Sequence, residues 1–227
     1  MARDGSGNGN YGAIRGSRWA AGRHGKALSF DGRDDWVTVL DSPSLDLSTA
    51  MTVEAWVRPR SVSGWRTILE KETDTELSFG LYAASAGGAP SGWGGMRGIY
   101  GPARIPTGTW THLAATHDGV RLRLFRDGKL VASRPMQARL KVSGRELRIG
   151  GNAVWGEFFS GLIDEVRVYS RALSAAEIER DRNTPVPDAA PSSARRPAGA
   201  VKQRPRSRSQ ARARAKHGPP RRTRPRR

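Results

Sequence analysis

The side chains in this 227-residue chain with most to offer a ligand are its seven tryptophans and a scatter of acids. Trp65, Trp93 and Trp155 stand among glycines and serines, in Ser63-Gly64-Trp65, Ser91-Gly92-Trp93-Gly94-Gly95 and Val154-Trp155-Gly156. A large apolar ring on a Gly-rich loop is a platform on which a sugar or a partner's side chain stacks. The competing reading folds these rings down as lids over a core. Trp93, with glycine on both sides, ranks first of the three as a ligand contact. Trp36, Trp56 and Trp110 lie inside β-patterned runs and are expected in the core.

The acids do not read as a catalytic pair. A retaining glycosidase needs two carboxyls about 5–5.5 Å apart. Glu70 and Glu72 have the i, i+2 spacing, but Glu72-Thr73-Asp74-Thr75 reads as a turn. Glu54 stands alone beside Thr52 and Trp56, and Asp164 and Glu165 point to opposite faces of one strand. Asp31, Asp34 and Asp35 form an acidic turn. There is no Gly-x-Ser-x-Gly elbow, zinc motif or phosphate loop. The four histidines, at 24, 112, 117 and 217, lack metal-ligand spacing, and there is no cysteine.

One further group of side chains is chemically strong. Arg204, Arg206, Arg208, Arg212 and Arg214, with Lys216 and the arginines of 221–227, make a polycation without interleaved aromatics. Such a segment holds any polyanion, nucleic acid included, through counterion release and without sequence readout. It reads equally as a solvated linker. Residues 185–227 contain twelve Arg and two Lys against one Asp, +13 of the chain's +18. The other residues carry only +5, so the basicity belongs to the tail.

The elements that must position these groups are strands. Short Val-, Ile-, Leu- and aromatic-rich runs recur from Ala27 to Tyr169, separated by Gly, Pro, Asp or Ser, with almost no helical periodicity. That pattern predicts an all-β sandwich or barrel. Residues 1–26 read as a loop. Asp118-Gly119 and Asp127-Gly128 each predict a type I′ hairpin turn, so residues 110–134 form a three-stranded meander. Leu122 and Leu124 face one side of it, Arg121 and Arg123 the other. One helix is expected, opened by the capping box Ser174-Ala175-Ala176-Glu177. The Pro/Arg/Ser-rich composition after Pro185 cannot bury enough apolar surface to fold. The sandwich is placed at 1–184 and a disordered basic tail at 185–227. No run is apolar enough for a signal peptide or a membrane span.

Five stretches in order resemble the laminin-G-like jelly-roll domains of the concanavalin A-like lectin/glucanase superfamily. They are Asp4–Asn10, Gly22–Gly32 with Asp35-Trp36-Val37, Met51–Val57, Gly108–Ala114, and Gly161–Ser174. The resemblance implies a two-sheet antiparallel sandwich and an extracellular or cell-surface module that binds a glycan or an extracellular protein. It implies a structural Ca²⁺ held by Asp4 and Asp164 with the loop carbonyls of Ser6 and Asn8, since calcium takes six to eight oxygen ligands. On strand alternation Asp164 shares a face with Leu162, Val166 and Val168. The alternative is that Asp164 accepts loop amides. Relatives carry a strand ahead of the Asp4–Asn10 loop. That strand is expected to be missing here, with a sheet edge left unpaired.

Overall fold

The computed structural model describes residues 1–187. Its strands are β1 (Gly12–Arg15), β2 (Arg18–Ala21), β3 (Lys26–Asp31), β4 (Trp36–Val39), β5 (Met51–Pro59), β6 (Arg66–Glu72), β7 (Leu77–Ala84), β8 (Ser91–Gly94), β9 (Arg97–Tyr100), β10 (Thr111–His117), β11 (Arg121–Arg126), β12 (Lys129–Pro135), β13 (Leu147–Ile149) and β14 (Ser160–Tyr169); one helix, α1 (Ala175–Asn183), follows. The strands form two seven-stranded sheets. The first runs β1-β4-β13-β6-β7-β8-β9 and the second β12-β11-β10-β5-β14-β3-β2. All pairings are antiparallel. This is a jelly-roll sandwich, as the strand pattern predicts.

Period-two alternation builds the core. Met51, Val53, Ala55 and Val57 of β5 turn inward, where they meet Val37, Leu69, Phe79 and Leu81 of the first sheet. Thr52, Glu54 and Trp56 consequently face outward from the second sheet. That outer face is covered by α1, whose Ile178 packs with Leu173 on Ala114 and Phe125. The capping box at Ser174 and Glu177 is formed on both sides.

Four local expectations need correction. Residues 1–26 are not all loop, because β1 and β2 lie there as short, half-exposed strands. Trp93 sits on β8 rather than on a loop; glycine-rich strands look like turns in sequence because glycine packs nothing and adds backbone freedom. Asp127-Gly128 has positive φ at both residues, 50° and 77°, as a type I′ turn requires. At Asp118-Gly119 only the glycine does. Instead the Asp118 carboxylate accepts the amides of Val120 and Arg121 at 2.9 and 2.7 Å, and the strands close at His117–Leu122. The fourth correction concerns Asp164. A bulge at Asp164–Arg167, with Glu165 at φ 54°, reverses the alternation of β14. Ile163 faces the core before it and Val166 and Val168 after it, so Asp164 lies opposite Trp56 on the outer face.

β14 is paired with β5 along most of its length, but with β3 only over Ser160–Ile163. Among the described residues no strand covers the second edge of its C-terminal half. Ala2 forms an isolated bridge to Gly12.

Candidate functional site

The outer face of the first sheet carries a cleft of about 250 Å³ lined by Trp65, Leu77, Tyr82, Trp93, Met96, Trp155 and Glu157. It gathers all three glycine-flanked tryptophans from separate segments. Trp65 precedes β6, Trp93 lies on β8, and Trp155 on the β13–β14 loop. Trp65 meets Tyr82 edge-on with ring centroids 5.3 Å apart and Trp93 at 5.7 Å. Trp93 in turn meets Tyr82 at 6.5 Å and Tyr100 at 5.8 Å. Trp155, 43% exposed, forms another part of the lining.

The sequence of β8 explains how a bulky ring fits on a packed sheet. Gly92 and Gly94 turn inward, where a Cβ would meet Ala115 at 2.5 Å and Met136 at 2.6 Å. Trp93 therefore turns outward, between its cross-strand partners Gly80 and Gly98. A Cβ on Gly98 would meet the Trp93 ring at 2.6 Å. The bare backbone of Gly98 is the bed on which the indole lies, and Trp93 Nε1 donates to Ser91 Oγ at 3.0 Å.

The β13–β14 loop reaches Trp155's side of the cleft through a buried polar network. Ala153 N donates to Glu72 Oε1 at 2.6 Å, and Arg148 Nε to Glu72 Oε2 at 3.3 Å. Asn152 Nδ2 donates to Thr67 Oγ1 and Glu157 Oε2, both at 2.9 Å. Trp155 N donates to Asn152 Oδ1 at 2.8 Å. Farther along, Phe158 stacks on Trp36 at 5.8 Å and its carbonyl accepts from Arg66 at 2.9 Å. Glu72 is thus a strand residue that anchors a loop, not part of a turn as its sequence neighbours suggest.

Glu70 lies beneath the aromatic floor. Tyr82 OH donates to its Oε2, and Oε1 has no partner. Burial pushes the Glu70 carboxyl up to about 8, further raised by Glu72 and Glu157 and offset by the Tyr82 bond. Glu157 is likewise pushed up by burial. Tyr82 and Glu157 were not candidates from sequence. Tyr82's outward register on β7, and the lone acid between Trp155 and Phe158, are the signals that point to them.

The residues expected to hold calcium share a different cavity. Asp4, Ser6, Asn8 and Asp164 all line a space of about 460 Å³ between the sheets, beside the free edge of β14. The carboxylates of Asp4 and Asp164 already accept hydrogen bonds. Asp4 accepts Ser6 N and Oγ and Asn10 N at 3.0, 2.8 and 2.9 Å. Burial raises the Asp4 carboxyl but these bonds outweigh it and hold it low. Asp164 accepts Arg23 N, His24 N and Glu165 N at 2.8, 3.0 and 2.9 Å. Carboxylates satisfied by amide hydrogens do not make a preformed calcium shell, so these residues as they stand do not fit the ion. Asp164 pins the β2–β3 turn to β14 instead. Asp31, Asp34 and Asp35 are the one group of three or more His, Asp or Glu side chains among the described residues with ligating atoms within 4.8 Å of one another. Asp31 and Asp35 there also accept main-chain amides, at 2.8 and 2.9 Å.

Two other sequence expectations shift. Trp56 is buried, but on the outer face, between Arg23 and Arg182 at 4.8 and 5.7 Å. Glu54 is not alone: His112 and Arg167 stand at 3.9 and 3.7 Å, contacts too long for hydrogen bonds. The polyanion residues Arg204, Arg206, Arg208, Arg212 and Arg214 lie outside the described residues.

Comparison with known proteins places the fold. Residues 31–179 match the Laminin_G_3 family of the Concanavalin A-like lectin/glucanases superfamily, and the chain belongs to that family. Among solved structures it is similar to domain 4 of AbnA, a GH43 extracellular arabinanase from Geobacillus stearothermophilus, in complex with arabinotriose. The TM-score is 0.66 and the identity 24%, over 78% of this chain and 90% of that one. It is also similar to the binding domain of Paraclostridial Mosquitocidal Protein 1, with TM-score 0.63 and 19% identity over 78% and 48% of the two chains. A third is the botulinum neurotoxin serotype G binding domain, with TM-score 0.61 and 12% identity over 78% and 47%. The match spans about half of each toxin domain. No curated protein matches the chain.

Proposed function

We propose that this protein is a non-catalytic, extracellular or cell-surface binding module that holds a glycan in the cleft of Trp65, Tyr82, Trp93 and Trp155. The observation that carries this reading is the convergence of three tryptophans from three separate segments on one open cleft. Aromatic faces bury the apolar faces of a sugar ring while its hydroxyls reach carboxylate and amide groups at the rim. Glu157, which lines the cleft, supplies such a carboxylate. Several structural relatives are binding domains, and AbnA domain 4 is in complex with arabinotriose.

The acids support binding over hydrolysis. Glu70 and Glu72 are fully buried. Glu72 is occupied by Arg148 and the Ala153 amide, and Glu70 lies under Tyr82. Neither offers an open lone pair to a glycosidic bond or an attacking water.

Tryptophan fluorescence titration with a panel of oligosaccharides, arabinotriose among them, tests the proposal. Trp155→Ala, on an exposed loop, is expected to weaken the bound glycan about tenfold, roughly 1.4 kcal/mol, without moving the thermal midpoint. A panel with no binder, or a binder indifferent to Trp155→Ala and Trp93→Ala alike, would sink it.

A further inference from the structure

The cleft is acidic in a chain that is strongly basic. Glu157 lines it, and its described partners are neutral, Asn152 Nδ2 at 2.9 Å and the Tyr82 hydroxyl. Glu70 behind it has only the Tyr82 hydroxyl. Neither forms an ion pair among the described residues, whereas Glu72 nearby pairs with Arg148 at 3.3 Å. Glu72 is neutralised by its arginine and buried Glu70, lifted to about 8, holds its proton at neutral pH, which leaves Glu157 as the acid that faces the open space.

The arginines make the contrast sharper. The face of an aromatic ring is negative and attracts cations. This protein uses that attraction on two other outward tryptophans, Trp36 and Trp56. Trp36 lies under Arg15 and Arg148, at 5.0 and 4.7 Å, and Trp56 between Arg23 and Arg182. With 39 Lys and Arg in the chain, cations are plentiful. Yet among the described residues none lies over Trp65, Trp93, Trp155 or Tyr82. The same rings that could take an internal guanidinium are left facing an open space of about 250 Å³ with a carboxylate beside them. Aromatic walls plus an unpaired acid form the chemical complement of an ammonium group.

We infer that the cleft selects a ligand bearing a cationic amine, and that Glu157 is the residue that sets this preference. The inference rests on the glycan reading above and names its class: a glycan with free amino groups, the glucosamine type, rather than a neutral or N-acetylated one. The aromatic rings supply stacking common to all sugars. Glu157 supplies the ion pair that only an amine completes. Its carboxyl, held high by burial, drops when an ammonium sits beside it.

The test compares three probes by fluorescence titration at pH 7 and low salt: glucosamine trimer, its fully N-acetylated counterpart and choline chloride. The expected result is at least tenfold tighter binding of the glucosamine trimer than of the acetylated one. Glu157→Gln should erase that preference, so that the two trimers bind with the same affinity. Glu157→Asp, which keeps the charge, should restore it, and unchanged melting of both variants shows that they fold. Equal binding of the two trimers overturns the inference while leaving the glycan reading standing. Choline binding lost in Glu157→Gln, without any sugar binding, upholds the cation preference and overturns the glycan reading. Binding of none of the probes overturns the inference.

Discussion

At the scale of single residues, the molecule's buried acids tie its stability to pH. Glu70 and Glu54 both have carboxyls lifted to about 8 from an ordinary 4.5, chiefly by desolvation. The folded state therefore holds protons that the unfolded chain releases between those values. The stability they contribute is full below about 4.5 and is lost as pH rises through about 8. His112 works the other way. Burial, with Arg167 and Arg182 nearby, lowers it from 6.5 to about 3, so its contribution is full above 6.5 and is lost as pH falls toward 3. Between pH 6.5 and 8.5 the glutamates dominate, and the urea midpoint is expected to fall. Glu70→Gln removes one of the two, and its midpoint should fall distinctly less over that interval. Identical slopes in both proteins would refute the assignment. Asp164 gives a second prediction at this scale. Its replacement by Ala strands the amides of Arg23, His24 and Glu165, at a cost of about 1–3 kcal/mol in urea denaturation. Because those amides already satisfy the carboxylate, a chelator is expected to leave the melting temperature of the unsubstituted protein where it was. A drop on chelation would show that calcium replaces them.

At the scale of elements, β8 decides the site. Gly98→Ala puts a methyl where the Trp93 indole lies, 2.6 Å from the ring. The ring must lift off the sheet. Overpacking of this kind costs typically 1–3 kcal/mol, and glycan affinity should fall about tenfold; intact affinity would show that Trp93 is not a ligand contact. This element also marks where the sequence could and could not be read. The strands whose branched and aromatic residues alternate, β5, β10 and β11 above all, are plain in the sequence because one face of each is core. The capping box of α1 is plain because its two partners are three residues apart. β8 is hidden because its inward positions are glycines, chosen for closeness to Ala115 and Met136 rather than for apolarity. The face of Asp164 is hidden because one bulge residue, Glu165, inverts the pleat after it. The three tryptophans of the cleft were legible as rings on small-residue segments. That Tyr82 and Glu157 join them was not, since the pairing of β6, β7 and β8 and the path of the β13–β14 loop bring them there from far along the chain.

At the scale of the whole molecule, the proposed binding face and the basic segment are chemically opposite. Most of the excess charge follows residue 184, while the described cleft presents one carboxyl, Glu157, and rings. The topology carries a further consequence. The β2–β3 hairpin enters the second sheet only through β14, and β1 with β4 enters the first only through β13. The strands within the first forty residues thus have their places held by strands more than a hundred residues further along the chain. Such distant pairings are slow to close, since the intervening loop must be ordered before any contact is made. During synthesis the β1–β4 pair has no sheet to join until β13 has emerged, nor the β2–β3 hairpin until β14 has, and for that interval their inward faces are left for chaperones to shield.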